Sequence, residues 1–226
     1  LVRRKDPCWD AAQARSSFPH TSFLAFWAIA ATVIAMASGH RPAGNVLLVV
    51  IPLALLADGV AKDQIYPLTE EKIQRAFKKL DEIKPHVNVW WTQGAQPPQL
   101  LTDKEVVMAT GWNGRISSVS KEGAPVAVVW EGAQMVSDAW YIPKGCKNKD
   151  LAMLFIAWAS FPETNWPLSQ YIDYGPVNNK SLKFLDQELL ERMPLTYADK
   201  MIKCDFDWWS TQYQDMLERW REWKLQ

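Results

Sequence analysis

Residues Met108–Gly145 read MATGWNGRISSVSKEGAPVAVVWEGAQMVSDAWYIPKG and hold the clearest strand pattern in the chain. Two apolar runs, Val106–Ala109 and Val126–Trp130, have the length and the β-branched content that are typical of buried strands. A third short run, Ala139–Ile142, ends at Pro143, where a turn is predicted. The pattern predicts an α/β fold in which short buried strands alternate with loops and helices.

Aromatic and acidic side chains stand where these strands are predicted to end. Trp112 follows the first strand, Glu131 follows the second, and Asp138 and Trp140 lie at the third run. In open α/β sheets, ligands bind in the crevice at the carboxyl ends of the strands. The sequence therefore predicts a ligand-binding cleft that these side chains line.

Five motifs, in the family's order, resemble the spermidine/putrescine-binding proteins of ABC importers. They are Trp112-Asn-Gly, Gly123-x-Pro-Val-x-Val-Val-Trp130, Asp138-x-x-x-Ile-Pro143 followed by Lys147-Asn-Lys149, Tyr174-Gly-Pro-Val-Asn178, and the final Asp207-Trp-Trp with Glu218-Arg-Trp-Arg-Glu-Trp223. The resemblance covers the chain from roughly Leu55 to the C-terminus. It implies the type II periplasmic-binding-protein fold, an α/β fold with two lobes joined by crossing hinge strands.

The resemblance also implies a domain organisation in which the N-terminal portion of the first lobe is absent. Residues 58–124 would belong to the second lobe of the solute-binding fold. Residues 125–226 would hold a hinge strand, Val126–Trp130, and the C-terminal part of the first lobe. Residues 1–57 lie outside the resemblance and form an aberrant or apolar N-terminal segment.

The function that the resemblance implies is solute capture for an ABC importer. The protein would be a periplasmic monomer that binds a polyamine, putrescine or spermidine, or a similar small amine. It would deliver this ligand to the permease subunits in the membrane after its hinge closes around the ligand. Because the chain begins at Leu1 without an export signal, we expect a fragment or a processed product.

The resemblance assigns ligand-binding roles to Trp112, Asp138 and Tyr174. Aromatic faces pack against a methylene chain and attract its ammonium groups, and carboxylates accept charge-assisted hydrogen bonds from those groups. Glu131 and Gln93 are added as weaker candidates, because each follows a predicted strand. The structural alternatives are that Trp112 only packs a hinge, that Asp138 caps a turn and that Glu131 faces solvent.

Three positions depart from the polyamine-binding pattern. Val136 stands where similar polyamine binders carry a second tryptophan, and Val49 and Val50 stand where they place carboxylates for the second ammonium group. Another amine or a small polar metabolite therefore remains open as the ligand. A chain that lacks most of one lobe could also be a non-functional fragment that binds nothing.

Composition and motifs exclude several other classes of function. The formal net charge is +0, so the sequence offers no electrostatic basis for binding nucleic acid. Cys8, Cys146 and Cys204 are too few and too far apart for a disulfide framework or a zinc site. No catalytic motif and no cofactor motif is present, so we predict neither an enzyme nor a cofactor. An enzyme that uses Glu131 and Asp138 as paired acids is the remaining catalytic alternative.

The N-terminal region is polar and unpatterned from Leu1 to Phe18, where we expect little order, and then strongly apolar. Two runs, Phe23–Ala37 and Val46–Ala57, flank a turn-like segment, and neither reaches the ~18–20 apolar residues of a membrane-spanning helix. Three interpretations of this apolar segment are open. It could be a short membrane hairpin, buried core helices, or the product of a reading-frame error, and the sequence favours the last. A true membrane hairpin would instead make the chain a membrane-anchored ligand-sensing domain.

The rest of the chain shows ordinary helix and strand patterns. A helix is predicted after the capping residue Thr69 and ends at Pro85, and a strand is predicted over Val87–Trp91. Further helices are predicted around Gln99–Leu101, Asn148–Ser160, Trp166–Ile172 and Ser181–Arg192, and from near Asp207. The helix over Asn148–Ser160 carries apolar residues on one face, namely Ala152, Phe155, Ile156 and Ala159. We expect the apolar stripe of the last helix to pack in the core, namely Trp209, Tyr213, Met216, Trp220 and Trp223.

Overall fold

The computed structural model describes residues 2–4 and 44–226, which fall into two compact units. The first, here called the sheet unit, comprises Leu1–Gln134 and Lys200–Gln226, and the second, the helical unit, comprises Met135–Asp199. The assignment of residues 58–124 and 125–226 to two lobes remains a prediction.

The sheet unit contains a small sheet whose central strand comes from the start of the chain. Strand β1 (Val2–Arg4) pairs antiparallel with both β2 (Met108–Ala109) and β3 (Val126–Val128). The expectation of little order over Leu1–Phe18 was therefore wrong for residues 2–4. Because Val2 lies opposite both Ala109 and Val128, β2 and β3 run in the same direction and end at the same sheet edge.

Two predicted strand segments are irregular. Val87–Trp91 makes no sheet, because its side chains are held by other contacts: the Trp91 indole N–H donates to Thr110 Oγ1 at 3.3 Å, and the Trp90 ring packs edge-on against Trp220. The run Ala139–Ile142 is also irregular and mostly exposed, so it has no buried face that a sheet could use.

The helices confirm most of the helical predictions in residues 44–226. They are α1 (Gly44–Ala57), α2 (Glu70–Ile83), α3 (Gln96–Thr102), α4 (Asn113–Lys121), α5 (Lys149–Ala159), α6 (Pro162–Asn165), α7 (Leu168–Tyr171), α8 (Gln187–Arg192) and α9 (Phe206–Leu225). Short 3-10 turns occupy Lys62–Gln64, Lys84–His86, Asn179–Phe184 and Pro194–Tyr197. A second strand pair joins β4 (Gln134–Met135) to β5 (Ile202–Lys203).

Helix α2 forms as its sequence predicts. The Thr69 side chain accepts a hydrogen bond from the Lys72 backbone N–H at 3.4 Å and caps the first turn, which carries two acidic residues. The apolar face of the helix is buried, and the helix ends at Ile83, immediately before the 3-10 turn that contains Pro85.

Helix α1 is part of the core of the sheet unit. Leu47, Ile51 and Leu55 are fully buried on it, and the helix packs against α2 and α9. This agrees with the core-helix interpretation of Val46–Ala57, whereas Phe23–Ala37 lies outside the described residues. No helix within residues 44–226 is long and apolar enough to cross a membrane.

Helix α9 closes the same core with its apolar stripe. Trp209, Met216, Trp220 and Trp223 are buried and Tyr213 is partly buried, which confirms the core-packing prediction for the stripe. The Asp205 carboxylate accepts a hydrogen bond from the Trp208 N–H at 2.9 Å and starts the helix one residue earlier than predicted.

The helical unit has a small core of its own. Leu185, Leu189 and Met193 are buried there, and Trp166 and Leu182 pack against them. Helix α5 forms where it was predicted, but none of its residues is buried. Its large apolar side chains are 49–68% exposed: Leu151, Met153, Leu154, Phe155 and Trp158. Helical spacing supplied an apolar face, but a unit this small has too few elements to cover it.

Candidate functional site

Two of the predicted site residues follow strands that end at the same edge of the sheet. Strand β2 ends at Ala109 and leads into Trp112, and β3 ends at Val128 and leads into Glu131. With β1 between them, the two strands are about 10 Å apart at that edge, which is two strand spacings. The sheet therefore brings the loops that carry Trp112 and Glu131 to one side.

The Trp112 side chain is half-buried and tightly confined on one side. A Cβ atom at Gly94 would lie only 1.9 Å from Cζ3 of its ring, so the indole occupies the space that any other residue at Gly94 would fill. Trp91 packs edge-on against Trp112 with 6.2 Å between the ring centroids. The Arg115 guanidinium lies over the ring at 5.7 Å from its centroid.

The loop before α3 is braced by one amide side chain. Gln96 Oε1 accepts hydrogen bonds from the backbone N–H groups of Thr92 at 2.5 Å and of Gln93 at 2.8 Å, and from Thr92 Oγ1 at 3.3 Å. The Gln93 side chain is exposed, and Gly94 next to it carries the contact with Trp112. The candidate Gln93 thus lies one residue before the glycine that contacts Trp112.

Positive charge accumulates at the start of α4. Arg115 is exposed and makes no ion pair with any residue in the described ranges, and the first turn of α4 contains no acidic residue. The N-terminus of a helix carries a partial positive charge that attracts anions. The motif Trp112-Asn-Gly-Arg contains Arg115, but its position over the Trp112 ring cannot be predicted from the sequence.

Glu131 is exposed and paired with a lysine. Its carboxylate lies 2.9 Å from Lys200 Nζ, and the next residue, Gly132, donates its N–H to the Lys200 carbonyl at 3.0 Å. Gly132 has a φ of +71°, a conformation that glycine adopts without strain. The negative charge of Glu131 is therefore partly balanced at this edge.

Asp138 and Tyr174 belong to the helical unit. Asp138 is exposed in the irregular segment that follows β4. Tyr174 is half-buried, its N–H donates to the Ile172 carbonyl at 2.7 Å, and its own carbonyl accepts from Ser169 Oγ at 2.8 Å. The five predicted residues are thus divided between the units, with Gln93, Trp112 and Glu131 in the sheet unit.

A polar cluster that the sequence analysis missed lies in the interior of the sheet unit. Tyr66 Oη accepts hydrogen bonds from the Trp209 indole N–H at 2.9 Å and from Gln134 Nε2 at 3.4 Å. Burial raises the pKa of Tyr66 to about 12, although the hydrogen bond from Trp209 acts in the opposite direction. Burial also raises the pKa of the neighbouring Cys204 thiol.

An open cavity of about 530 Å³ lies beside Tyr66, and the basic side chains that line it are already bound to other groups of the protein. Lys72 Nζ donates to the carbonyls of Gln64 at 2.6 Å, Ile65 at 3.3 Å and Pro67 at 3.0 Å. Arg75 Nε is paired with Asp58 at 2.7 Å.

Within the described ranges, no group of His, Cys, Asp or Glu side chains could hold a metal ion.

Comparison with known proteins gives consistent results. The profile of the family described as bacterial extracellular solute-binding protein matches residues 8–191. The γ-aminobutyric acid-binding protein of Pseudomonas aeruginosa is 40% identical over 177 residues, which make up 76% of this chain and 50% of that protein. The chain therefore spans about half the length of that relative.

Solved structures agree with this similarity. An ABC transporter substrate-binding protein from Bradyrhizobium japonicum is 41% identical with a TM-score of 0.73, over 77% of this chain and 55% of that one. A γ-aminobutyric acid (GABA) receptor structure is 35% identical with a TM-score of 0.70, over 84% and 55%. Less similar structures include complexes with glucopine and agropinic acid and spermidine/putrescine transporter proteins. These structures have the type II periplasmic-binding-protein fold that the sequence predicted.

Proposed function

Because the chain belongs to the family of bacterial extracellular solute-binding proteins, we propose that it captures a small amine solute outside the cytoplasm for an ABC importer. The observation that carries this proposal is the half-buried Trp112 at the carboxyl edge of the sheet, with Arg115 over its ring. The ligand would then pass to permease subunits in the membrane. The family consists of transport proteins, so the alternative of an enzyme with paired acids at Glu131 and Asp138 is set aside.

The ligand class that this edge fits best is an ω-amino acid such as GABA. GABA carries a carboxylate at one end, an ammonium group at the other and a short methylene chain between them. Arg115 and the N-terminus of α4 would attract the carboxylate, and the Trp112 ring would pack against the methylene chain and attract the ammonium group. The names of two relatives above also state GABA as their ligand.

Polyamines, which the sequence motifs favoured, are the second candidate. They carry ammonium groups at both ends and no carboxylate, so Arg115 would repel rather than hold them. The observation in their favour is the acidic candidate Glu131 at the same edge, although Lys200 already pairs with it at 2.9 Å. Gln93, Asp138 and Tyr174 keep their proposed roles in ligand binding, and each can be tested by substitution.

Substitution of Trp112 and Arg115 should separate the two ligand classes. We expect Trp112→Ala to weaken GABA binding roughly 2- to 30-fold, since a desolvated aromatic contact with a cation contributes about 0.5–2 kcal/mol. Arg115→Gln should weaken GABA binding about tenfold through the lost charge-assisted hydrogen bond, and should leave putrescine binding equal or stronger. Isothermal titration calorimetry of the 226-residue chain with GABA, putrescine and spermidine measures these affinities.

Arg221→Gln is the matched control, because Arg221 is an exposed arginine on α9 and the substitution removes the same charge. It should leave all affinities unchanged. Putrescine binding that falls with Arg115→Gln as much as GABA binding does would contradict the ω-amino acid proposal. A folded chain that binds none of the three ligands would contradict amine capture by this chain.

A further inference from the structure

The contact between Gly94 and Trp112 is unusual because space, and not backbone conformation, requires the glycine. The glycines with a positive φ in the described part of the chain are Gly59, Gly123, Gly132 and Gly145, and Gly94 is not one of them. A Cβ atom at Gly94 would lie 1.9 Å from Cζ3, 2.5 Å from Cε3 and 3.0 Å from Cη2 of the Trp112 ring. All three atoms belong to the six-membered ring of the indole.

The backbone of Gly94 is held in place from its C-terminal side. Gln96 Oε1 accepts from the N–H groups of Thr92 and Gln93, and so closes the loop around Gly94. Pro97 and Pro98, which follow directly, are buried in the first turn of α3. The loop therefore has little freedom to withdraw from the Trp112 ring.

The Trp112 ring is also confined by Trp91. The Trp91 side chain is buried, its indole N–H donates to Thr110 Oγ1 at 3.3 Å, and its ring meets Trp112 edge-on. Trp91 therefore bounds the Trp112 ring on one side, and the Gly94 backbone bounds it on another.

We propose that Gly94 and Gln96 are positioning residues that set the orientation of Trp112 for ligand binding. Gly94 leaves the space that the indole fills, and Gln96 holds the loop that presents Gly94. The ligand-binding part of this inference rests on the proposed function, whereas the positioning itself can be measured without ligand. A residue larger than glycine at position 94 would turn the Trp112 ring away from its present orientation.

The test is a double-mutant cycle that combines Gly94→Ala with Trp112→Phe. Phenylalanine lacks the ring atoms that a Cβ at position 94 would meet, so we expect the two substitutions to be strongly non-additive. Gly94→Ala alone should weaken GABA binding by no more than the 2- to 30-fold, roughly, that is expected for Trp112→Ala, because it acts by displacing the Trp112 ring. In the Trp112→Phe background, the same substitution should change the affinity by less than about twofold.

The positioning is read directly from ¹⁹F NMR of the ligand-free protein labelled with 5-fluorotryptophan. The Trp112→Phe variant assigns the Trp112 signal among those of the 13 tryptophans by its absence. Gly94→Ala should shift that signal, and should leave in place the signals of tryptophans that do not contact Trp112. Gln96→Leu, which removes the acceptor, should shift it as well, and Gln96→Glu, which keeps an acceptor, should restore it.

Gly111→Ala is the matched control, because a Cβ there meets its nearest neighbours, on Ile116 and Pro97, at an ordinary 3.4 Å. It should leave the Trp112 signal and the affinity unchanged. An unchanged Trp112 signal in both Gly94→Ala and Gln96→Leu would overturn the proposal, and so would additive effects in the cycle. If no variant binds GABA but the signal shifts as expected, the proposed ligand is wrong and the positioning of Trp112 stands.

Discussion

Replacing Leu55 by alanine is expected to lower the free energy of unfolding of the sheet unit by about 2–5 kcal/mol, the usual cost of emptying a fully buried leucine site. Leu55 is fully buried on α1, which packs against α2 and α9 in the core. Each kcal/mol of lost stability lowers the Tm of a chain of this size by roughly 2–4 °C, so the Tm should fall by several degrees or more. Urea unfolding followed by tryptophan fluorescence measures the change.

Leu225→Ala provides the control within the same unit. Leu225 ends α9 and is 89% exposed, so its truncation should change stability by no more than about 0.5 kcal/mol. An equal effect of the two substitutions would show that α1 does not pack in a core. The reading-frame or membrane interpretation of Val46–Ala57 would then regain support over the core helix.

The sequence predicted elements whose signals are local. Thr69 with two acids after it, followed by apolar residues at helical spacing, predicted α2 because capping and periodicity act within a few residues. The apolar stripe of α9 could be predicted for the same reason. Trp112 and Glu131 could be placed at one sheet edge because strand ends can be located from breaks in apolar runs.

The remaining features depend on partners that are distant in sequence. Strand β1 has three residues, too few for a pattern, and it exists because β2 and β3 pair with it on both sides. The apolar face of α5 was readable, but no local signal tells whether another element covers it. Gly94, Gln96 and Arg115 were missed because their roles follow from where the Trp112 ring lies.

Raising the pH above 10 should remove a stabilising contribution of Tyr66. Burial raises the pKa of its hydroxyl from 10.0 to about 12 in the folded chain, because the anion would lose its hydration. The unfolded chain therefore releases this proton first as the pH rises. The contribution is fully present below pH 10 and is lost as the pH rises through about 12, with a total of roughly 2–3 kcal/mol.

Tyr66→Phe isolates this contribution, since phenylalanine cannot ionise. At neutral pH the variant should be less stable by about 1 kcal/mol, because Tyr66 Oη accepts a hydrogen bond from the Trp209 indole N–H at 2.9 Å. Between pH 10 and 12 the wild type should lose stability faster than the variant, so that the difference shrinks and reverses. Urea unfolding at each pH measures it, and Tyr141→Phe, at a tyrosine that is 84% exposed, provides the control. The stability difference between wild type and Tyr66→Phe could instead stay constant up to pH 12. That result would mean that the Tyr66 hydroxyl is hydrated in the folded chain. Only desolvation of the anion makes the folded state hold this proton to a higher pH.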